Sequence, residues 1–189
     1  MVIIRPFEEK DKENVRFVCL NSEGECQMTP DEQKYILTTY CNYYIENEGR
    51  NCFVAVDDND EAIAYIICTE DFDSYRKIFV KEYIPRLDEN MIVWGGNARQ
   101  GADGSTKLQE KYKEDFPAHL HIDVLPEYHR QGIGHRLVDT LAAHLKSKGV
   151  KGVMLTVGAG NARGQAFYNK YGFEFIEQDG DDVAFGLRF

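Results

Sequence analysis

Residues 119–135 read HLHIDVLPEYHRQGIGH, a stretch that crowds histidines, an aspartate and two glycines close enough to act on one ligand. Gly132 and Gly134 lack the Cβ that would hold an anion away from the main chain. If a helix begins there, the amides of Arg130, Gln131, Gly132, Ile133, Gly134 and His135 converge on its positive end, a receptor for an oxygen cluster such as a pyrophosphate. A plain structural turn is the competing reading of a glycine pair. Just upstream, His119, His121 and Asp123 alternate with Leu120, Ile122 and Val124, so a strand's period of two puts the three ionisable side chains on one face. Such a face can move protons, ligate zinc or be buried against helices.

These residues need elements to hold them. The alternation over residues 119–124 predicts a strand, and Ile133, Leu137, Val138, Leu141 and Leu145 recur at helical spacing up to Lys148, with Gly149 as the stop. Residues 153–157, VMLTV, read as a second buried strand. Gly-Ala-Gly and Asn161 follow, then a helical run through Ala166, Phe167 and Tyr168 that closes at Tyr171-Gly172-Phe173. Residues 173–178 and 183–188 give two more strands around Asp179-Gly180-Asp181-Asp182, a hairpin signal. Toward the start, residues 2–5 suggest a short strand and residues 8–20 a helix. A helix beginning at Thr29-Pro30 carries Tyr35, Tyr40, Tyr43 and Tyr44. Residues 52–56 and 62–68 form a hairpin about Asp57-Asp58-Asn59-Asp60. An EF-hand is excluded at that turn, because its glycine and terminal glutamate would fall on Ala62 and Cys68.

On these motifs the chain resembles the GNAT superfamily of N-acetyltransferases. PEYHRQGIG and the later NARGQAFYNKYGF carry the resemblance, which spans residues 118–176 and is weaker upstream. The family loop usually opens on Gln or Arg, and here His129 takes that place. The resemblance implies an α/β (α+β) GNAT fold: a mixed, mostly antiparallel sheet of about seven strands with helices on both faces. It implies acetyl-CoA as co-substrate, with no metal. The main chain of Ile122 and Val124 would hold the pantetheine arm, residues 129–135 the phosphates, and Asn161, assisted by Arg163, the arm of the cofactor. Tyr168 falls where the family often places its general acid beside the sulfur, as a phenol of pKa ~10 allows. His121 or Asp123 would take the amine's proton, with Glu70 and Asp71 in reserve. The activity implied is acetyl transfer to a primary amine of a small molecule or protein. The alternative is a coenzyme-A-binding or protein-binding module without turnover. Residues 119–134 also resemble the acetyltransferase-like domain attached to some O-GlcNAc hydrolases.

Composition agrees with one domain over residues 1–189, since a chain that is 43% hydrophobic and 12% aromatic can bury a substantial core. The net charge of −10 argues against nucleic acid as a partner. No apolar run nears the ~20 residues needed to span a bilayer, and the start lacks the order of a signal peptide, so a cytoplasmic protein without membrane contact is expected. Cys19, Cys26, Cys41, Cys52 and Cys68 show no paired spacing and read as reduced, buried fillers. Exposed strand edges near the carboxyl end allow a homodimer. Residues 71–117 exceed what a connection between the third and fourth strands needs. Residues 74–87 suggest an amphipathic helix, whereas Trp94-Gly95-Gly96 and residues 101–105 suggest a mobile loop. This insertion, with the tyrosine-rich helix, is expected to wall the acceptor site.

Overall fold

The computed structural model describes residues 2–24 and 27–189, so Cys26 lies outside the described residues. The first half contains β1 (Ile3–Pro6), α1 (Lys12–Asn21), α2 (Pro30–Tyr40), α3 (Asn42–Asn47), β2 (Phe53–Val56) and β3 (Ala62–Thr69). The insertion contains α4 (Phe72–Ile78), β4 (Ile92–Val93), β5 (Gly96–Asn97), α5 (Ala98–Gly104) and α6 (Lys107–Tyr112). The remainder is β6 (Ala118–Val124), α7 (Ile133–Ser147), β7 (Gly152–Gly158), α8 (Ala162–Tyr171), β8 (Glu174–Asp179) and β9 (Asp182–Arg188).

Seven strands make one mixed sheet in the order β1-β2-β3-β6-β7-β9-β8, antiparallel except where β6 runs parallel to β7. That is the sheet the family resemblance implies. β3 is buried along its whole length, as its apolar run AIAYIICT demands of a strand covered on both faces. α7 lies on β2, β3 and β6 with Leu137, Val138, Leu141 and Leu145 buried, and α1 packs against β3 and β6. Both helices therefore press on the strand that carries His121 and Asp123. Cys41, Cys52 and Cys68 are buried and Cys19 is half-buried. No helix among the described residues is long and apolar enough to cross a membrane.

Three local expectations are corrected. The tyrosine-rich helix is two helices. Its start is well specified, because the Thr29 hydroxyl accepts from the Glu32 amide while the Glu32 carboxylate accepts from the Thr29 amide. It breaks at Cys41 (φ −130°, ψ −60°), which turns Tyr43 and Tyr44 into the core. The helix expected over residues 74–87 is α-helical only to Ile78, then winds as a π turn and a 3₁₀ turn into Pro85, whose ring cannot continue an α-helix. Residues 101–105 are no mobile loop, since α5 covers most of them. Asn97 caps it by accepting from the Gln100 amide at 3.1 Å, and Ala98 and Ala102 are buried one turn apart. Trp94 (φ 50°) and Gly95 (φ 81°) make a tight left-handed hairpin turn between β4 and β5.

Candidate active site

A cleft opens where β6 and β7 stop pairing. They share only Ala118 with Val153 and His119 with Met154, whereas β6 stays paired with β3 as far as Val124. Successive main-chain groups of a strand face opposite edges. The Leu125 amide donates to the Ile63 carbonyl, on the β3 side. The amides of Asp123 and His121 therefore also turn to β3, and those of Leu120, Ile122 and Val124 face the opening. The opening has a volume of about 1150 Å³ and is lined by both strands, the 126–135 segment and α8.

One end of the cleft is electropositive by construction. The first helical bond of α7 runs from the Arg136 amide to the Gly132 carbonyl, which leaves the amides of Ile133, Gly134 and His135 without helical partners. Positive φ at Arg130 (62°) and Gly132 (76°) folds the preceding backbone into the kind of concavity that receives anions. The two glycines have different duties. A Cβ on Gly132 would meet nothing within 4 Å, so only its left-handed backbone asks for glycine. A Cβ on Gly134 would lie 3.2 Å from the Phe167 ring, so glycine there lets α7 approach α8. The structure thus adds a backbone and a packing duty to the space these glycines leave for an anion.

Around this end the side chains are already engaged. His129 Nε2 lies 2.8 Å from the Val124 carbonyl and its Nδ1 lies 3.1 Å from Arg163 Nη1. Because a guanidinium only donates, Nδ1 accepts from Arg163 and Nε2–H donates to the Val124 carbonyl. Arg163 Nη2 also reaches both Glu23 carboxylate oxygens at 3.3 Å. The Asn161 carbonyl oxygen accepts from the Gly164 amide at 2.8 Å and caps α8, which leaves its NH₂ group free to donate to a ligand. The His135 ring sits edge-on to Phe167. Gln131 stands apart from the expected set: it is exposed, donates to the Glu127 carbonyl and does not line the cleft.

Beyond the Glu23–Arg163 pair the cleft is lined by Ser22, His121, Asp123 and Tyr168. Asp123 accepts a short hydrogen bond from the Tyr65 hydroxyl, and burial pushes its carboxyl up to about 6 despite that bond and another from Ser22. Burial lowers His121 to about 4, and its Nε2 lies 3.1 Å from the Tyr44 hydroxyl. His119 is buried deeper, 2.8 Å from the same hydroxyl, and burial drives its pKa well down. Burial raises the Tyr168 phenol, and the negative charges of Asp123 and Glu23 raise it further, so it keeps its proton through neutral pH. The two histidine rings meet on Tyr44 while Asp123 turns to Tyr65, which is not a zinc geometry; no cluster of three or more metal-ligating side chains occurs among the described residues. Glu70 and Asp71 are removed as reserve bases, because the end of β3 that they follow is paired with His119, away from the cleft. Glu70 pairs with Lys148 and Arg50, and Asp71 caps α4.

Sequence reasoning missed Tyr65, Ser22 and Glu23, and it placed Tyr44 only as one tyrosine of a helix expected to wall the acceptor site. Tyr65 and Tyr44 carry a signal only in hindsight of the pairing, since each is a polar tip inside an apolar segment that must find a buried partner. Ser22 and Glu23 carry none.

The profile of the acetyltransferase (GNAT) family matches residues 16–173. The chain belongs to the GNAT family. Among solved structures, SsHAT is 23% identical, with a TM-score of 0.87 over 99% of this chain and 98% of that one. The PaiA N-acetyltransferase of Thermoplasma acidophilum, crystallised with coenzyme A, is 18% identical over 100% of this chain and 99% of its own, with a TM-score of 0.65. The polyamine N-acetyltransferase of Drosophila melanogaster is 15% identical over the full length of both chains, with a TM-score of 0.63. At such identities the likeness is one of fold.

Proposed function

We propose that this GNAT chain transfers the acetyl group of acetyl-CoA to a primary amine of a small molecule or protein. The observation that carries the reading is one cleft that joins a free strand edge, a set of free helix amides and a carboxyl titrating near 6. The donor fits these residues. The Ile122 and Val124 main chain offers a pantetheine arm the pairing of an added strand. The amides of residues 132–135 suit a pyrophosphate, with the Asn161 NH₂ group and Arg163 beside it. Acetyl-CoA supplies an activated thioester.

The chain's own groups supply positioning and proton transfer. Asp123 is ionised at neutral pH yet more basic than an ordinary carboxylate, which suits removal of an ammonium proton directly or through water. Tyr168 keeps its proton and can hand it, or a hydrogen bond, to the departing sulfur. The Asp123 carboxylate at that end favours a cationic acceptor. The insertion reaches this end in two ways: Gln109 donates to Thr156 on the cleft wall at 3.4 Å, and Trp94, Tyr35, Tyr40 and His121 form a chain of edge-to-face rings.

Calorimetric titration with acetyl-CoA, desulfo-CoA and adenosine diphosphate tests the donor, and release of coenzyme A thiol with an amine panel tests transfer. Micromolar binding that depends on the pyrophosphate, followed by sustained turnover, is expected. Binding without turnover would make this a coenzyme-A-binding module. No binding at all would favour a fold used for protein contacts, as its resemblance to the domain attached to O-GlcNAc hydrolases allows. In the active case Tyr168→Phe should lower kcat about 100-fold and leave the acetyl-CoA Kd within about twofold. An unchanged kcat removes the phenol from proton transfer.

A further inference from the structure

Among the described residues, the lysines and arginines that line the cleft are Arg130, Arg163 and Lys170. Arg163 is matched by the Glu23 carboxylate. Arg130 and Lys170 are exposed, and neither has an ion pair or a hydrogen bond among the described residues. In a chain of net charge −10, whose surface as a whole repels anions, two unmatched cations in one cleft stand ready for a ligand's negative charge. Arg130 also has a left-handed backbone (φ 62°), which strains most side chains other than those of Asn and Asp. Glycine would meet the turn with less strain, so the guanidinium, not the turn, accounts for an arginine here.

Lys170 lies in the last turn of α8. By their spacing of three and four residues, Phe167, Lys170 and Tyr171 share one face of that helix. Phe167 packs at Gly134 and against the His135 ring, and Tyr171 meets the same ring with centroids 5.5 Å apart. The Lys170 ammonium is thereby carried to the start of α7, beside the free amides of residues 133–135. Asp139, one turn on from His135, is taken by the Tyr171 hydroxyl at 2.7 Å.

We propose that Arg130 and Lys170 form a second anion subsite, for the phosphate monoester that coenzyme A carries on its ribose, next to the pyrophosphate position at the amides of α7. The subsite rests on the proposed use of acetyl-CoA and deepens it. With the pyrophosphate on the free amides, the monoester, a group of charge about −1.5 to −2 at neutral pH, needs donors of its own. One ribose ring carries both the 3′ and the 5′ oxygens, so the monoester falls within reach of long side chains that flank the pyrophosphate. The subsite also selects the acyl donor: a free coenzyme A thioester, rather than dephospho-coenzyme A or a carrier-bound phosphopantetheine arm, both of which lack the ribose phosphate.

Calorimetry with coenzyme A and dephospho-coenzyme A, at low and raised salt, tests the subsite. The wild type should bind coenzyme A about tenfold more tightly than the dephospho form, and the preference should shrink as salt screens the contacts. Arg130→Asn combined with Lys170→Gln removes both charges, and asparagine tolerates the left-handed backbone. This double variant should lose about tenfold in coenzyme A affinity, with its preference reduced to within about twofold. Equal wild-type affinity for the two ligands overturns the subsite and leaves acetyl transfer standing. A variant that loses affinity for both ligands alike overturns it too, because the side chains then serve only the shape of the loop. A clear preference in a protein that releases no thiol with an amine panel keeps the subsite and removes the proposed turnover. Binding of neither ligand removes both.

Discussion

Asp123→Asn should yield a protein that is more stable and nearly inactive. Its kcat/KM for amine acetylation is expected to fall about 100- to 10,000-fold, the usual contribution of a positioned base, while the acetyl-CoA Kd stays unchanged. The sign of the stability change follows from the raised pKa. Between 3.8, the ordinary value, and about 6 the native carboxyl holds a proton that the unfolded chain has lost, so stability falls as pH rises through that window. At neutral pH the ionised form remains a liability on the order of 2 kcal/mol after allowance for partial solvent access. Asparagine removes it while its carbonyl still accepts from Tyr65, so thermal melts should rise by about 5 °C at neutral pH and coincide with the wild type below pH ~4. The pH profile gives an independent check. Wild-type kcat/KM should climb through a limb near 6 as Asp123 deprotonates, and the variant should lack it. A variant that keeps full turnover, or one destabilised at neutral pH, would refute the role or the burial.

How much of this site is readable before folding depends on the range of the interaction. Local rules suffice for β6, α7 and α8, because each is announced by its own periodicity and by glycines at its ends, and so most of the cleft lining is gathered from two segments, with Ser22 and Glu23 left out. They fail for α5, where Gly101, Asp103 and Gly104 all disfavour a helix. Tertiary contacts outweigh them. Ala102 is fully buried, Arg76 pairs with Asp103 at 2.6 Å, and a Cβ on Gly101 would stand 2.9 Å from the Tyr35 hydroxyl. The chemistry of Asp123 and His121 is less legible still. Their titration is governed by Tyr65, Tyr44 and burial, through contacts spanning 58 and 77 residues of sequence. Spacing can place a carboxylate beside a histidine, but only the packed sheet says which of them is basic.

Gly134→Asp carries the second large effect, and here the structure changes the reason for it. The new Cβ would press on Phe167, whose ring edge lies 3.2 Å away, and the carboxylate would sit on the first turn of α7. A negative charge there favours the helix itself by about 0.3–1 kcal/mol, so the fold should survive with a melting temperature close to wild type. The ligand meets the opposite situation. A unit charge about 5 Å from a phosphate, at an effective dielectric of about 20, costs about 3 kcal/mol, or more than 100-fold in affinity. Gly134→Ala separates crowding from charge, because it brings the Cβ against Phe167 without the carboxylate. Calorimetry should find acetyl-CoA binding weakened more than 100-fold in the aspartate variant and less than about tenfold in the alanine variant. If alanine alone abolishes binding, the close approach of α7 to α8 is what the cofactor requires of this glycine. If aspartate leaves affinity intact, the phosphates do not rest on the start of α7.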